Sequence, residues 1–188
     1  MQIEIIIAGF GGQGVLFAGE VLSYAAMDAG KEVTWIPSYG PEMRGGTANC
    51  TVIIADEEIG SPFVLHPQFV IAMNLPSLDK YEPLVATGGT IIVNASLVNR
   101  KVNRTDIQAV FIPANEIAEG IGDKRLTNIV MVGALTTQSP VLSLEDIARA
   151  LENHMPERHR KLLPLNIKAL QAGAEYVRKE FGIEITKT

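Results

Sequence analysis

Ile3-Glu4-Ile5-Ile6-Ile7-Ala8-Gly9-Phe10-Gly11-Gly12-Gln13-Gly14 is the stretch on which the reading of this chain turns. Residues 3–8 are almost all apolar and β-branched, the pattern of a strand covered on both faces. A glycine turn follows at once. After it Val15, Leu16, Ala18, Val21, Leu22, Ala25 and Ala26 make a broad apolar helical face that ends near Gly30. Lys31 to Ile36 then reads as a second buried strand, which predicts a parallel βαβ unit with a right-handed crossover. The expected class is therefore α/β: a Rossmann-like, doubly wound and mostly parallel sheet.

Working outward, Pro37 to Gly46 holds too much Gly and Pro for a regular element and reads as a shaped loop. Thr47 to Ala55 resumes strand character. Asp56 to Gly60 suggests a turn into a short following strand, so an antiparallel hairpin is expected to interrupt the parallel order. Strands are then predicted over Phe69–Met73, Thr90–Asn94 and Ile107–Ile112, with a helix over Ser77–Ala86. The C-terminal region reads as helical: Ala114–Glu119, Thr127–Thr137, Ser143–Asn153 and Arg158–Phe181. The third of these is started by a Ser143 cap with Asp146 at N3, and Pro164 begins or kinks the last. Residues 1–188 are expected to form a single domain, since no linker or internal repeat interrupts them.

Composition removes several classes of function. Sixteen basic against 21 acidic residues give a formal charge of -5, and no Lys/Arg run supplies phosphate contacts, so neither nucleic acid nor an anionic membrane is an expected partner. The N-terminus lacks a basic n-region, reading as a strand rather than a signal peptide, and no apolar run is long enough to span a bilayer. A cytoplasmic location is expected. The only cysteine is Cys50, whereas a disulfide, a Cys-ligated zinc or an iron–sulfur cluster needs several.

Gly9, Gly11 and Gly14 satisfy G-x-G-x-x-G between a strand and a helix, where amides at a helix N-terminus can face a phosphate or carboxylate. Gly11, Gly12, Gln13 and Gly14 are the candidate binding residues. A dinucleotide site also needs an acidic residue at the end of the second strand; Trp35-Ile36-Pro37-Ser38 offers none, and Glu42 comes too late. The equal alternative is that these glycines serve only close strand–helix packing. Glu42 and Arg44 either pair within their loop or present charge to a partner, with Gly45 and Gly46 permitting close backbone approach.

Other residues carry less. His66, His154 and His159 show no metal spacing, the last two falling on different faces of a helix, and read as ordinary surface or boundary histidines. Ser77-Leu78-Asp79-Lys80 matches S-x-x-K without its partner motifs, so a helix start explains the serine and no catalytic nucleophile is assigned. Asn128 and Asn166, set among apolar residues, read as internal caps or braces.

Gly9-Phe10-Gly11-Gly12-Gln13-Gly14-Val15 resembles the opening of the γ subunits and γ domains of 2-oxoacid:ferredoxin oxidoreductases. Ser38-Tyr39-Gly40-Pro41-Glu42-Met43-Arg44-Gly45-Gly46 resembles that family's second signature, and Leu165 to Gly173 its terminal helix. The loop is most similar to that of 2-oxoglutarate-type enzymes; pyruvate, branched-chain and indolepyruvate enzymes have related domains. The resemblance implies oxidative decarboxylation of a 2-oxoacid with coenzyme A as acyl acceptor and ferredoxin as electron acceptor. It further implies thiamine diphosphate, Mg and iron–sulfur clusters carried by other subunits: α, β and, in some enzymes, δ. Gly122-Asp123 is not followed by the Asn-Asn pair of a thiamine diphosphate motif. This chain is thus expected to hold no metal or cofactor alone and to be inactive, or a homodimer, when isolated. Tyr39, Glu42, Arg44, Gly45 and Gly46 are expected to face a partner or coenzyme A. A free-standing dinucleotide enzyme and a ligand-free scaffold are the competing readings.

Overall fold

The computed structural model describes residues 1–39 and 46–181, with the side chain of Tyr39 excepted. Six strands form one sheet: β1 (Gln2–Phe10), β2 (Glu32–Tyr39), β3 (Thr47–Ala55), β4 (Phe69–Ala72), β5 (Thr90–Asn94) and β6 (Gln108–Ile112). Their spatial order is β2-β3-β1-β4-β5-β6. From β1 to β6 the neighbours are parallel, whereas β3 runs antiparallel to both β1 and β2. The mostly parallel Rossmann-like sheet and its antiparallel insertion are both present.

Two details differ from expectation. The second strand does not lie beside the first, because β3 is inserted between them; β2 becomes an edge with Trp35 and Ile36 half-exposed rather than a buried strand. The hairpin also joins β2 to β3 through residues 40–46, while residues 56–68 form no strand. Local hydrophobicity marks a strand but carries no record of its neighbour, which is fixed by distant packing.

Strand alternation sends side chains to two cores. Ile3, Ile5 and Ile7 join the larger core with α1 (Val15–Asp28), α3 (Ala114–Ile121), α4 (Thr127–Thr136), α5 (Leu144–His154) and α6 (Leu163–Phe181). Ile6 and Ala8 join the smaller one beneath α2 (Leu75–Tyr81). Helices α1 and α2 therefore leave on opposite faces, which opens a crevice at the carboxyl ends of β1 and β4, the usual ligand position in open α/β sheets.

Local chemistry explains the helix starts. Ser143 and Asp146 form the expected capping box on α5, and Pro164 lies in the first turn of α6, where its missing N–H costs nothing. A 3-10 segment, Glu157–Leu162, precedes α6. Helices α4 and α6 cross through Gly133 and Gly173: a Cβ on either would overlap a backbone carbonyl, Leu170 O or Val130 O.

Candidate functional site

The turn after β1 is built by its own side chains. Gln13 Oε1 accepts the Phe10 N–H at 2.7 Å and an Asn74 Nδ2 hydrogen at 3.0 Å, which ties the turn to the cap of α2 across the crevice. The Gln13 N–H closes back on Phe10 O at 3.1 Å. Gly9 is needed because a Cβ there would meet Gln13 Oε1 at 2.7 Å, Val15 Cγ2 at 2.8 Å and Met73 Cβ at 2.9 Å. Gly14 caps α1 in the left-handed region, φ 71°, and its carbonyl accepts from Asn128 Nδ2 at 3.0 Å. Of the proposed binding residues, Gln13 thus spends its side-chain oxygen inside the protein.

Gly12 differs from its neighbours. It is exposed, holds φ +93°, and has nothing within 4 Å of where a Cβ would stand. The first turn of α1 carries no acidic residue, and intrahelical bonding from the cap begins with Ala18 N–H to Gly14 O, so the amides of residues 15–17 lie ahead of it. A positive helix end with a small exposed residue before it can receive an anion without displacing a side chain.

Gly46, the last residue of the second predicted loop, meets this turn. Gly46 O accepts the Gly11 N–H at 2.8 Å. Tyr39 pairs by its backbone with Ala48 at the end of β2. Glu42, Arg44 and Gly45 lie outside the described residues. The dinucleotide reading loses its geometry as well as its acidic residue, because the end of β2 is held one strand away from β1 by β3.

Sequence reading missed a row of amides along the same sheet edge. Asn74 caps α2 by accepting the Ser77 N–H, so Ser77 belongs to a helix start as expected. Buried Asn94 donates to Met73 O at 3.2 Å and to Asn115 Oδ1 at 3.0 Å, and accepts from Ser96 N–H at 3.3 Å. Ser96 Oγ accepts the Asn115 N–H and donates to Glu116, whose carboxyl that bond draws below its ordinary range. The available signal was an asparagine just after one apolar strand and at the end of another: Val-Ile-Ala-Met-Asn74 and Ile-Ile-Val-Asn94.

A cleft of about 580 Å³ opens from the turn after β1 on the outer side of α1 and runs from Gly12 and Gly14 to Tyr24 and His154, with Asn166 at the start of α6 also in its lining. The histidines depart from expectation here. His154 ends α5, His159 lies in the following 3-10 segment, and both line this one cleft, since the helix stops between them. His154 stacks on Tyr24 with centroids 4.1 Å apart and places Nε2 3.0 Å from both oxygens of Asp28, whose carboxyl that hydrogen bond lowers despite partial burial. His66 only meets Leu84 O, at 3.3 Å. The brace assigned to Asn128 is present, and Asn166 likewise donates to Leu162 O at 2.9 Å.

Comparison with known proteins bears on these features. The family described as pyruvate ferredoxin/flavodoxin oxidoreductase matches residues 4–176. The 2-oxoglutarate synthase subunit KorC of Methanothermobacter marburgensis is 39% identical over 184 residues, covering 94% of this chain and 97% of the relative. Ketoisovalerate oxidoreductase subunit VorA of Methanothermobacter thermautotrophicus is 37% identical over 98% of this chain, but the chain spans only 38% of that relative's length. Among solved structures, the γ subunit of keto/oxoacid ferredoxin oxidoreductase from Geobacter sulfurreducens PCA superposes with a TM-score of 0.81 at 31% identity, covering 94% of this chain and 99% of that one.

Proposed function

Because the chain belongs to the pyruvate ferredoxin/flavodoxin oxidoreductase family, we propose that it serves as the γ-type subunit of a multi-subunit 2-oxoacid:ferredoxin oxidoreductase. The reading rests above all on the nearly end-to-end similarity to a 2-oxoglutarate synthase subunit of the same length class. In the proposed reaction carbon dioxide leaves the 2-oxoacid, the acyl group passes to the coenzyme A sulfur, and the electron pair goes to ferredoxin. 2-Oxoglutarate is the favoured substrate; the similarity to a ketoisovalerate enzyme makes a branched-chain 2-oxoacid the second reading.

Thiamine diphosphate, which would supply the carbanion chemistry, is assigned to the α and β subunits together with Mg. The clusters are likewise assigned elsewhere, with δ where that subunit exists. A cluster does not fit this chain: among the described residues no group of three or more His, Cys, Asp or Glu gathers, and burial pushes the Cys50 thiol up to about 12. The chain's own contribution is to position. Gly12 and the first amides of α1 would receive a phosphate of coenzyme A, Gln13 and Asn128 would fix the turn that presents them, and the Tyr39-to-Gly46 loop would face a partner subunit or coenzyme A. A cytoplasmic location accompanies this role; no helix among the described residues is long and apolar enough to cross a membrane.

The test is purification from the native host through a tag on this chain, followed by a reduction assay with a low-potential acceptor that depends on 2-oxoacid and coenzyme A. Co-eluting larger subunits with thiamine-dependent activity are expected. A colourless chain eluting alone and binding NAD would overturn the reading. Within an active complex, Gly12→Asp is expected to raise KM for coenzyme A about tenfold or more with KM for the 2-oxoacid unchanged. Arg44→Ala is expected to lower turnover; no change would favour a scaffold.

A further inference from the structure

The cleft beside α1 meets the turn after β1 at Gly12 and Gly14, but Met73, Asn74 and Asn94 of the strand-end crevice take no part in its lining, which otherwise comes from α1, the α3–α4 junction, α5, the 3-10 segment after it and the start of α6. Its volume lies in the range of small-molecule sites. Two buried asparagines line it, Asn128 with 4% of its surface exposed and Asn166 with 5%. Each commits its amide nitrogen to a backbone carbonyl, Gly14 O or Leu162 O. Neither Oδ1 accepts a hydrogen bond among the described residues. Two held acceptors bordering one cavity call for a ligand that brings N–H donors.

Charge narrows the class further. Asp123 and Arg125 close on each other at 2.6 Å, which leaves Glu20 and Arg158 on the rim, one acid and one base that enter no ion pair among the described residues. Arg158 Nε is directed at His159 Nε2, 3.2 Å away, so that the guanidinium is steadied at the mouth. A polyanion has no surplus of positive charge to meet here. The floor is apolar, with Val21, Leu151 and Met155 among its residues.

The geometry points to a binding site for a free α-amino acid with an apolar side chain. Its ammonium would donate to Asn128 and Asn166 with Glu20 nearby, its carboxylate would face Arg158, and its side chain would cover the apolar floor. The cleft shares Asn128 and the Gly12–Gly14 turn with the proposed coenzyme A phosphate position, so competition between the two ligands is part of the test.

The test uses the purified full chain and follows amide chemical shifts while L-leucine, L-isoleucine and L-phenylalanine are titrated. 4-Methyl-2-oxopentanoate, which lacks the ammonium, and isoamylamine, which lacks the carboxylate, are the half-ligands. At least one amino acid is expected to saturate with shifts at Tyr24, Asn128 and Asn166, both half-ligands binding about tenfold more weakly or worse. Arg158→Gln, a surface change that leaves the fold intact, should weaken that binding about tenfold, and Asn166→Leu should abolish it. The proposal is overturned if none of the three amino acids saturates, if a half-ligand binds as well as the whole, or if Arg158→Gln has no effect. Displacement of the amino acid by coenzyme A would reassign the cleft to the coenzyme and overturn it equally.

Discussion

The α4–α6 crossing and the turn after β1 both depend on glycine, for opposite physical reasons. At the crossing, Gly133 and Gly173 sit in ordinary helical backbone, and what matters is the missing Cβ, which lets each helix approach the other's carbonyls. At the turn, Gly12 has open space around it, and what matters is a backbone angle that side chains rarely adopt. One glycine pair is a packing device in the core; the other residue shapes a surface. Substitution at the first should unfold the protein, while substitution at the second should leave the fold and alter what it presents.

The comparison would break most visibly at Gly133. Gly133→Ala drives a methyl into Leu170 O, and we expect a loss of about 3 kcal/mol or more in urea unfolding, or failure to express in soluble form. A loss below about 1 kcal/mol would mean that the helices slide apart at little cost.

Gly14 combines both mechanisms and so separates them. Gly14→Ala is expected to cost about 2–3 kcal/mol, part from φ 71° and part from the clash with Asn128. Adding Asn128→Ala should recover the steric share, seen as a destabilisation smaller than the sum of the two single changes. Strict additivity would remove the packing half of the explanation.

Gly19 offers a third, softer case. Its Cβ would encounter Cys50 Sγ, and Trp35 Nε1 at 2.9 Å, but both belong to side chains and Trp35 lies at a half-exposed edge. Gly19→Ala should cost about 1 kcal/mol after the gain in helix propensity, and Cys50→Ala beside it should bring thermal unfolding back to the parent value or above. Gly12→Ala comes last, at about 1 kcal/mol from backbone strain alone. Its denaturation midpoint should fall by about 0.5 M in urea.

Much of this was legible in the residues. Thr90–Asn94 has the bounds expected, the Ser143–Asp146 cap is present, and Pro164 falls in a first helical turn because the alternatives would break hydrogen bonds. Those features are set within a few residues of themselves. The position of β3 was not legible, since Cys50 faces Ile7 on one side and Pro37 on the other only through pairings made far apart in sequence. The turn's glycines were visible as candidates, yet the duty of Gln13 depended on Asn74, sixty-one residues away. The cleft escaped for the same reason: a stripe on α1, a helix end and the start of α6 announce nothing until packed together. A spacing of five puts His154 and His159 on different faces only where one helix runs through both, and the chain leaves α5 at Met155.

Cys50 has a consequence for how this protein can be watched. Its sulfur lies fully buried in β3, between β1 and β2, and the desolvation that lifts its pKa to about 12 also keeps it a protonated, poorly nucleophilic thiol. A labelling reagent can reach it only when that part of the sheet parts. One thiol per chain therefore acts as a clock: the modification rate in native buffer counts openings of the β1–β3–β2 region, without a denaturant and without an engineered probe.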